Sequence, residues 1–471
     1  MALYFYNTLT RAKEAFKEIE PGTVRFYSCG PTVYDFAHIW NFRAFLTYDL
    51  IKRYLRYRGY QVKHVMNITD VDDKTIRGAL AEGVPLQAFT ARYVQTFQED
   101  METLNILPAD LCPRATEHIP DMVELAHRLI EDGYAYRRDG SVYFSIKRFP
   151  AYGELAHLDV SGMQVGASGV DTDEYGKEDV RDFVVWKAWQ EEDGDVFWET
   201  DLGKGRPGWH LECSCMSMKY LGETVDIHAG GVDLVFPHHQ NEVAQSEAAT
   251  GKRFANYWLH NAFVNINNEK MSKSLGNFLT LRDIVKSPDD ARGIRYFVVS
   301  SHYRTPLNFT MEVLDGAKNT LRRLNHFRDR LKEVADAGGG EDVAPLIEEA
   351  RDGFVQHMDD DLNSPRAVAS VFGLVNQVED LLNNRRVDRQ GAEQVNAFLE
   401  EIDQVLGVFY QLPDDEAVEA DLPEELKALI AEREAARKAR NWARADEIRD
   451  TFQDLGYTLE DTPEGTLWKR A

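Results

Sequence analysis

Cysteine is scarce in this chain, with four residues among 471, at Cys29, Cys112, Cys213 and Cys215. So thin a set builds no disulfide framework, and the thiols read as free groups or metal ligands in a reducing compartment. Also missing is any apolar run of the ~20 residues that a membrane-spanning helix needs. The opening MALYFYNTLTRAKEAF lacks a charged segment followed by an apolar core and a small-residue cleavage site. These absences point to a cytoplasmic protein with no membrane partner. Positive charge is in deficit: 54 Lys and Arg against 79 Asp and Glu leave a formal net charge of −25. Such a surplus repels polyanions at long range, which excludes a uniformly basic nucleic-acid binder and leaves room only for local basic patches. The chain also lacks internal repeats and low-complexity tracts.

What is present is a globular composition, 43% hydrophobic, 28% charged and 11% aromatic. The length suggests about three domains. In the first part, VRFYSC (24–29), QVKHVMNIT (61–69), VDIHAGG (225–231) and YWLHNAFV (257–264) read as strands, with helices expected from near His38 and near Pro237. Strand, turn, helix, strand is the grammar of an α/β fold with a doubly wound, Rossmann-like parallel sheet, whose ligands sit at the carboxyl ends of the strands. That sheet domain is assigned to 1–133 and 211–310. Residues 134–210 carry the hairpin-like YAYRRDGSVYFSI and a glycine-rich acidic stretch near 161–180, and read as an inserted connective segment. Helical periodicity from 311 to 411, broken by Gly338-Gly339-Gly340, predicts an α-helical bundle. The acidic connector 412–423 then opens a small C-terminal α+β unit, 412–471.

Three clusters carry chemistry. Glu269-Lys270-Met271-Ser272-Lys273-Ser274-Leu275-Gly276-Asn277 sets lysines among hydroxyls and a glycine. This suits a loop that holds polyphosphate by charge and several donors; the plain alternative is a solvated turn. His38-Ile39-Trp40-Asn41 follows a strand and opens a helix, where backbone N–H groups and the helix dipole favour anions. Its alternative is an ordinary helix start. The third cluster is metal-shaped: Cys29 ends a predicted strand, Cys213 follows Gly208-Trp209-His210-Leu211-Glu212, and His238 and Glu242 share one face of a helix start. Two sulfurs, an imidazole and a carboxylate make a plausible zinc set. Cys215, His210 and His239 compete as donors, and free buried thiols are the bland alternative.

Together these pieces resemble one family. HIWN (38–41) and KMSKS (270–274) are similar to the HIGH and KMSKS motifs of class I aminoacyl-tRNA synthetases, in the same order. SCGPTVYDFAHI (28–39), NITDVDDK (67–74), FVVWK (183–187), PGWHLECS (207–214), GGVDLVFPHHQNE (230–242), DDDLNSPRA (359–367) and DTPEGTLWKR (461–470) resemble the bacterial cysteinyl-tRNA synthetases, over essentially the whole chain. The resemblance implies ATP-dependent ligation of L-cysteine to the 3′ end of cysteine tRNA through cysteinyl-adenylate. It implies one zinc ion per chain on Cys29, Cys213, His238 and Glu242, binding the substrate thiolate. Thr69, Trp209, His228 and Asp233 match positions around the amino acid. His38, Asn41, Lys270 and Lys273 match the catalytic ATP site, to which Mg²⁺ comes with the nucleotide. The chain is expected to act as a monomer. Trp40 departs from the family, which has glycine there because the adenine base lies against that helix turn. Its ring either points aside, reshapes the base site or impairs activity.

The positive charge collects near the C-terminus. Arg433, Arg437, Arg440 and Arg444 recur at helical spacing, with Trp442 among them and Trp468 at the chain's end. Arginines for phosphate and aromatics for stacking suit single-stranded loops, and the resemblance implies that this end recognises the anticodon; a solvated charged face is the alternative. A second run, Arg43, Lys52, Arg53, Arg56 and Arg58, either faces the acceptor stem or forms the outer face of a helix. Three rival functions fare worse. A ligase joining cysteine to an amino-sugar needs no anticodon-reading end. A non-catalytic tRNA-binding paralogue has no use for an intact KMSKS and four metal ligands. A zinc hydrolase lacks a general-base carboxylate beside the site.

Overall fold

Apolar β-branched runs form a sheet only where both of their faces are covered, and the covering here starts at the N-terminus. The structure is a computed structural model that describes residues 2–158, 181–270, 278–335, 340–412, 424–438, 441–454, 457–462 and 465–470. It divides into two compact units, Met1–Phe409 and Tyr410–Ala471. A ribbon of β1 (Tyr4–Asn7) and β2 (Ala12–Ala15) comes first. β3 (Thr23–Ser28), α1 (Ile39–Tyr57) and β4 (Gln61–Met66) follow as a parallel crossover unit. α2 (Asp73–Glu82), α3 (Leu86–Thr103) and α4 (Ile119–Glu131) lead into an antiparallel sheet. Its strands are β5 (Ala135–Arg138), β6 (Ser141–Phe144), β7 (Phe183–Ala188), β8 (Trp198–Thr200) and β9 (Gly203–Pro207), in the order β5-β6-β7-β9-β8.

The chain then returns to the first sheet through α5 (Trp209–Leu221), β10 (Val225–Gly231), α6 (Gln240–Thr250) and β11 (Ala255–Asn261). The order is β11-β10-β3-β4 and every neighbouring pair is parallel. All seven residues of β10 are buried, as expected of a central parallel strand covered on both faces. The four strands coincide with the runs read from sequence. Because the chain winds outward from β3 in one direction and from β10 in the other, the order reverses between these two strands. A crevice opens at such a reversal, at the carboxyl ends. β12 (Val264–Ile266) pairs with both β13 (Glu269–Lys270) and β14 (Leu307–Phe309), and α7 (Leu281–Ile284) and α8 (Pro288–Val299) lie between those two in sequence. The helices α9 (Met311–Lys332), α10 (Ala344–Asp359), α11 (Ser364–Asn383) and α12 (Arg389–Leu406) complete the first unit.

The second unit has helices Glu424–Lys438 and Trp442–Asp454 and a hairpin of β15 (Tyr457–Thr462) and β16 (Gly465–Arg470). Its core gathers Leu426, Ile448 and Phe452. The stretch 161–180, Gly338-Gly339 and residues 413–423 of the acidic connector lie outside the described residues. No helix of the described residues is long and apolar enough to cross a membrane.

The basic run along α1 is neither a surface patch nor an outer helix face at its N-terminal end. Arg43 is fully buried and donates to the carbonyls of Val298, His302 and Thr305; Lys52 is buried and donates to Pro108 O at 2.7 Å. The reason is that α1 packs against β4, α8 and α12 at once, so little of its circumference meets water. Asp49 holds this packing together. Its Oδ2 accepts from Arg53 Nε at 2.8 Å and Arg295 Nη2 at 2.5 Å, and its Oδ1 from Leu107 N at 2.9 Å. Arg295 also donates to Leu406 O at 2.8 Å and to Leu104 O and Asn105 O at 2.9 Å, tying α8 to the end of α12. Gly407 closes α12 at φ 62°, and a Cβ there would meet the Arg295 guanidinium at 2.6 Å. Removing the shared carboxylate charge strands buried guanidinium groups. Asp49→Asn is expected to lower the unfolding free energy by about 3–5 kcal/mol, read from the shift of the urea denaturation curve.

Candidate active site and metal centre

A cleft of about 280 Å³ opens where β3 and β10 diverge, lined among others by Cys29, Thr69, Trp209, Cys213, Asp233 and His238. His38, Trp40 and Asn41 at the start of α1 line the same cleft. The sheet brings these residues together from far apart in sequence. Cys29 directly follows β3, Thr69 lies beyond the end of β4, and Asp233 lies beyond β10. Close approach of the first two segments requires glycine: a Cβ on Gly30 would sit 1.7 Å from Asn67 O.

Cys29, Cys213, His238 and Glu242 each offer one donor atom, and all four atoms lie within 4.8 Å of one another. Their exposures are 7%, 1%, 1% and 0%. Glu242 Oε1 lies 3.1 Å from His238 Nε2 and accepts from the Cys29 thiol at 3.8 Å. Burial pushes both thiols and the Glu242 carboxyl well above or above their ordinary values, and pushes His238 well below its own. The groups are therefore held neutral by desolvation, and a dication among them would reverse that preference for the acids. Two sulfurs, an imidazole and a carboxylate, buried and convergent, fit a metal cation. Cys29, His228, His239 and Glu242 form a second convergent set that shares two members with the first. Of the competing donors, His239 enters this second set, whereas Cys215 and His210 enter neither.

His228 is the correction among the pocket residues. It is fully buried, does not line the cleft, stacks on Trp258 at 4.5 Å, and meets Glu242 Oε2 through Nε2 at 2.8 Å. It lies in the middle of the central strand β10, whose seven residues are all buried. Trp209, by contrast, is 36% exposed at the start of α5 and stacks on His238 at 4.0 Å. Thr69 donates its hydroxyl to Glu212 Oε2 at 2.8 Å and accepts from Asn67 Nδ2 at 3.2 Å. Glu212 is fully buried with Oε1 lacking a hydrogen-bond partner, and sequence reasoning missed it. The signal was present, because Trp209, Glu212 and Cys213 stand at i, i+3 and i+4 on one helical face.

At the start of α1, His38 is the N-cap and forms a capping box with Asn41. His38 Nδ1 accepts from Asn41 N at 3.3 Å, and Asn41 Oδ1 accepts from His38 N at 3.1 Å. The Trp40 ring packs edge to face on Phe263, with centroids 5.0 Å apart. Lys270 lies in β13 with its backbone opposite Asn265, and Lys273 lies outside the described residues.

In the second unit the arginine stripe needs correction. Arg433 is 3% exposed, because Leu426, Ile430 and Arg433 recur at helical spacing and turn its stem toward the apolar core. Arg437 is half-buried. Arg444 is engaged by Glu432 at 2.9 Å and Glu447 at 2.8 Å. Trp442 is 58% exposed, Trp468 lies in β16 opposite Leu459, and Arg440 lies outside the described residues.

This architecture is that of class I aminoacyl-tRNA synthetases. The methionyl-tRNA synthetase of Mycobacterium tuberculosis in complex with methionyl-adenylate shares the fold at a TM-score of 0.61 and 17% identity, over 85% of this chain and 97% of that one. The family model of the class I (C) tRNA synthetase catalytic domain matches residues 15–319, the DALR domain 353–411, and the cysteinyl-tRNA ligase anticodon binding domain 419–468. The cysteine–tRNA ligase of Chlamydia pneumoniae is 48% identical over 98% of this chain and 97% of its own length, and that of a Geobacillus species 46% identical over 100% and 99%. The chain belongs to the cysteine–tRNA ligase family.

The buried acid beside the cleft has a consequence for stability. Burial first, and the neighbouring Cys213 second, hold the Glu212 carboxyl well above its ordinary range. Between the unfolded glutamate value near 4.3 and that raised value, the folded chain keeps a proton that the unfolded chain has shed. The associated stability is present at low pH and is lost as pH rises through the window. Thermal unfolding of the metal-free protein is expected to fall in temperature from pH 5 to pH 8, and to fall less in Glu212→Gln.

Proposed function

We propose that this chain, as a cytoplasmic monomer, joins L-cysteine to the 3′ end of cysteine tRNA in two steps, with ATP as the energy source and cysteinyl-adenylate as the intermediate. One observation carries the reading: Cys29, Cys213 and His238, which converge with the buried Glu242, line the same cleft as the capped start of α1. We assign that cluster to one zinc ion per chain. When bound, zinc supplies a position that takes a thiolate sulfur at about 2.3 Å and takes a serine hydroxyl poorly, which gives selectivity without editing.

The remaining roles fall to the chain's own groups. Trp209, stacked on His238, walls the amino-acid side chain, while Asp233 offers a carboxylate to the α-ammonium and Thr69 a hydroxyl held in place by Glu212. His228 keeps the Glu242 carboxylate oriented from behind. The α1 start, with His38 and Asn41, meets the phosphates through its backbone N–H groups and dipole. Lys270 and Lys273 neutralise charge that builds on the phosphates as the cysteine carboxylate attacks the α-phosphorus in line and pyrophosphate departs. Catalysis rests on positioning and electrostatic stabilisation, with Mg²⁺ carried by the nucleotide. The terminal adenosine of the tRNA then takes the cysteinyl group from the adenylate. The second unit recognises the anticodon, with Arg437, Arg440, Arg444, Trp442 and Trp468 as contact residues; Arg433 is too buried to serve as one.

Cysteine-dependent ATP–pyrophosphate exchange tests the activation step. Exchange is expected for cysteine and not serine, lost on zinc removal and restored with zinc. A folded, zinc-loaded protein that shows none would overturn the proposal and point to Trp40. Cys213→Ser is expected to lose zinc by elemental analysis together with cysteine selectivity. For the tRNA end, Trp442→Ala is expected to raise the tRNA KM in charging by about tenfold or more, the equivalent of losing one stacked base worth about 1–3 kcal/mol.

A further inference from the structure

The thiol Cys29 does not end in the metal cluster. Its Sγ also meets His239 Nε2 at 3.2 Å, on the side of a second chain of polar contacts. His239 Nδ1 lies 2.8 Å from His260 Nε2, and His260 Nδ1 lies 2.7 Å from the Thr8 hydroxyl. The four residues come from the end of β3, the segment before α6, the strand β11 and the turn after β1. His239 is fully buried and His260 is 6% exposed, between Trp258 and the metal donors, and the contact of His239 Nδ1 with His260 Nε2 requires one of these two nitrogens to be an acceptor.

Neutral imidazole has one N–H and one acceptor nitrogen, so a row of two of them can be ordered in only two ways. When Cys29 carries its proton and aims it at His239 instead of at Glu242 Oε1, the thiol donates to His239 and the row points outward to Thr8. When Cys29 is a metal-bound thiolate, it can only accept. His239 must then carry its proton on Nε2 and accept on Nδ1, His260 must donate from Nε2 and accept on Nδ1, and the Thr8 hydroxyl must donate. Every group in the row is satisfied in that arrangement. Removing the Thr8 hydroxyl leaves the His260 Nδ1 acceptor unmatched and frees the row to adopt the other order.

We propose that Thr8 and His260 are positioning residues for the metal centre: they lock His239 in the tautomer whose Nε2–H donates to the Cys29 sulfur, so that His239 acts on the metal through Cys29 and is not itself a ligand. The inference rests on the metal site assigned above. Hydrogen bonds of this outer kind set ligand orientation and basicity, and their loss typically weakens metal binding 10–100-fold. The residue furthest out is the informative one, because Thr8 touches neither a ligand nor the cleft.

The test uses cobalt(II) titrated into the metal-free full-length chain, with affinity read by chelator competition and the sulfur-to-cobalt charge-transfer band read by absorption. Thr8→Val is expected to bind one cobalt per chain with about tenfold or more weaker affinity and a shifted band. Thr8→Ser, which keeps the hydroxyl, is expected to restore both. His260→Phe keeps a ring against Trp258 and is expected to repeat the Thr8→Val result, so a folding defect in either variant does not decide the matter. Thr8→Val with wild-type affinity and an unshifted band overturns the proposal, as does a Thr8→Ser variant as weak as Thr8→Val. Loss of one imidazole-dependent site altogether in His239→Phe, with stoichiometry falling to zero, would make His239 a ligand and overturn it too. Failure of the parent chain to bind cobalt removes the metal site itself, an outcome told apart from the others by stoichiometry.

Discussion

Acids buried without an internal cation dominate the energetics of this fold. Cys29, Cys213 and Glu242 converge at the carboxyl edge of the parallel sheet with Glu212 next to Cys213 in the chain, and no lysine or arginine is paired with them among the described residues. In a protein of low interior polarity such a group must stay protonated, find a cation or be hydrogen-bonded on every side. Burial holds these acids protonated here, His228 adds a hydrogen bond to Glu242, and the donor set they form fits a metal cation as the second device. Elsewhere the chain does the opposite. Asp49 carries its charge fully buried because Arg53 and Arg295 both reach it, so compensation is internal where the task is structural.

The topology explains why the chemistry gathers where it does. A parallel sheet that reverses its order between β3 and β10 leaves their ends uncovered by any crossover, and those ends carry Cys29 and the segment to Asp233. The helices α5 and α6, which carry Cys213 and Glu242, pack against each other, and His238 stands just before α6. His238 stacks on Trp209 and His228 on Trp258, and the histidines meet one another at tilted angles, so the imidazoles are fixed by ring contacts as well as by hydrogen bonds.

How much of this was legible in the sequence depended on range. The four sheet strands, the helix after His38 and the Cys29, Cys213, His238 and Glu242 cluster were readable, because short apolar runs and distinctive motifs carry them. Arg433 was misread although its spacing to Leu426 and Ile430 announced a buried face; positive charge drew attention away from hydrophobic phase. The burial of Arg43 and Lys52 had no local signal, since it follows from several helices closing around α1. The row from Cys29 to Thr8 was equally silent, because its links join residues 210 and 252 positions apart. His228 sat in a motif that drew attention to it while hiding that it is buried in the central strand and stands outside the cleft lining.

The capping box of α1 bears on where the nucleotide end of the cleft is open to variation. His38 and Asn41 each spend hydrogen-bonding capacity on the backbone of the other, so a change at either position costs cap stability of about 0.5–2 kcal/mol in a helix that carries much of the core. Ile39 between them is buried. Trp40 alone in this tetrad owes nothing to the cap, and its ring rests edge to face on Phe263, an exposed aromatic just beyond β11. The tryptophan that stands where the HIGH motif has glycine therefore falls on the one position of the four that neither caps the helix nor is buried in the core.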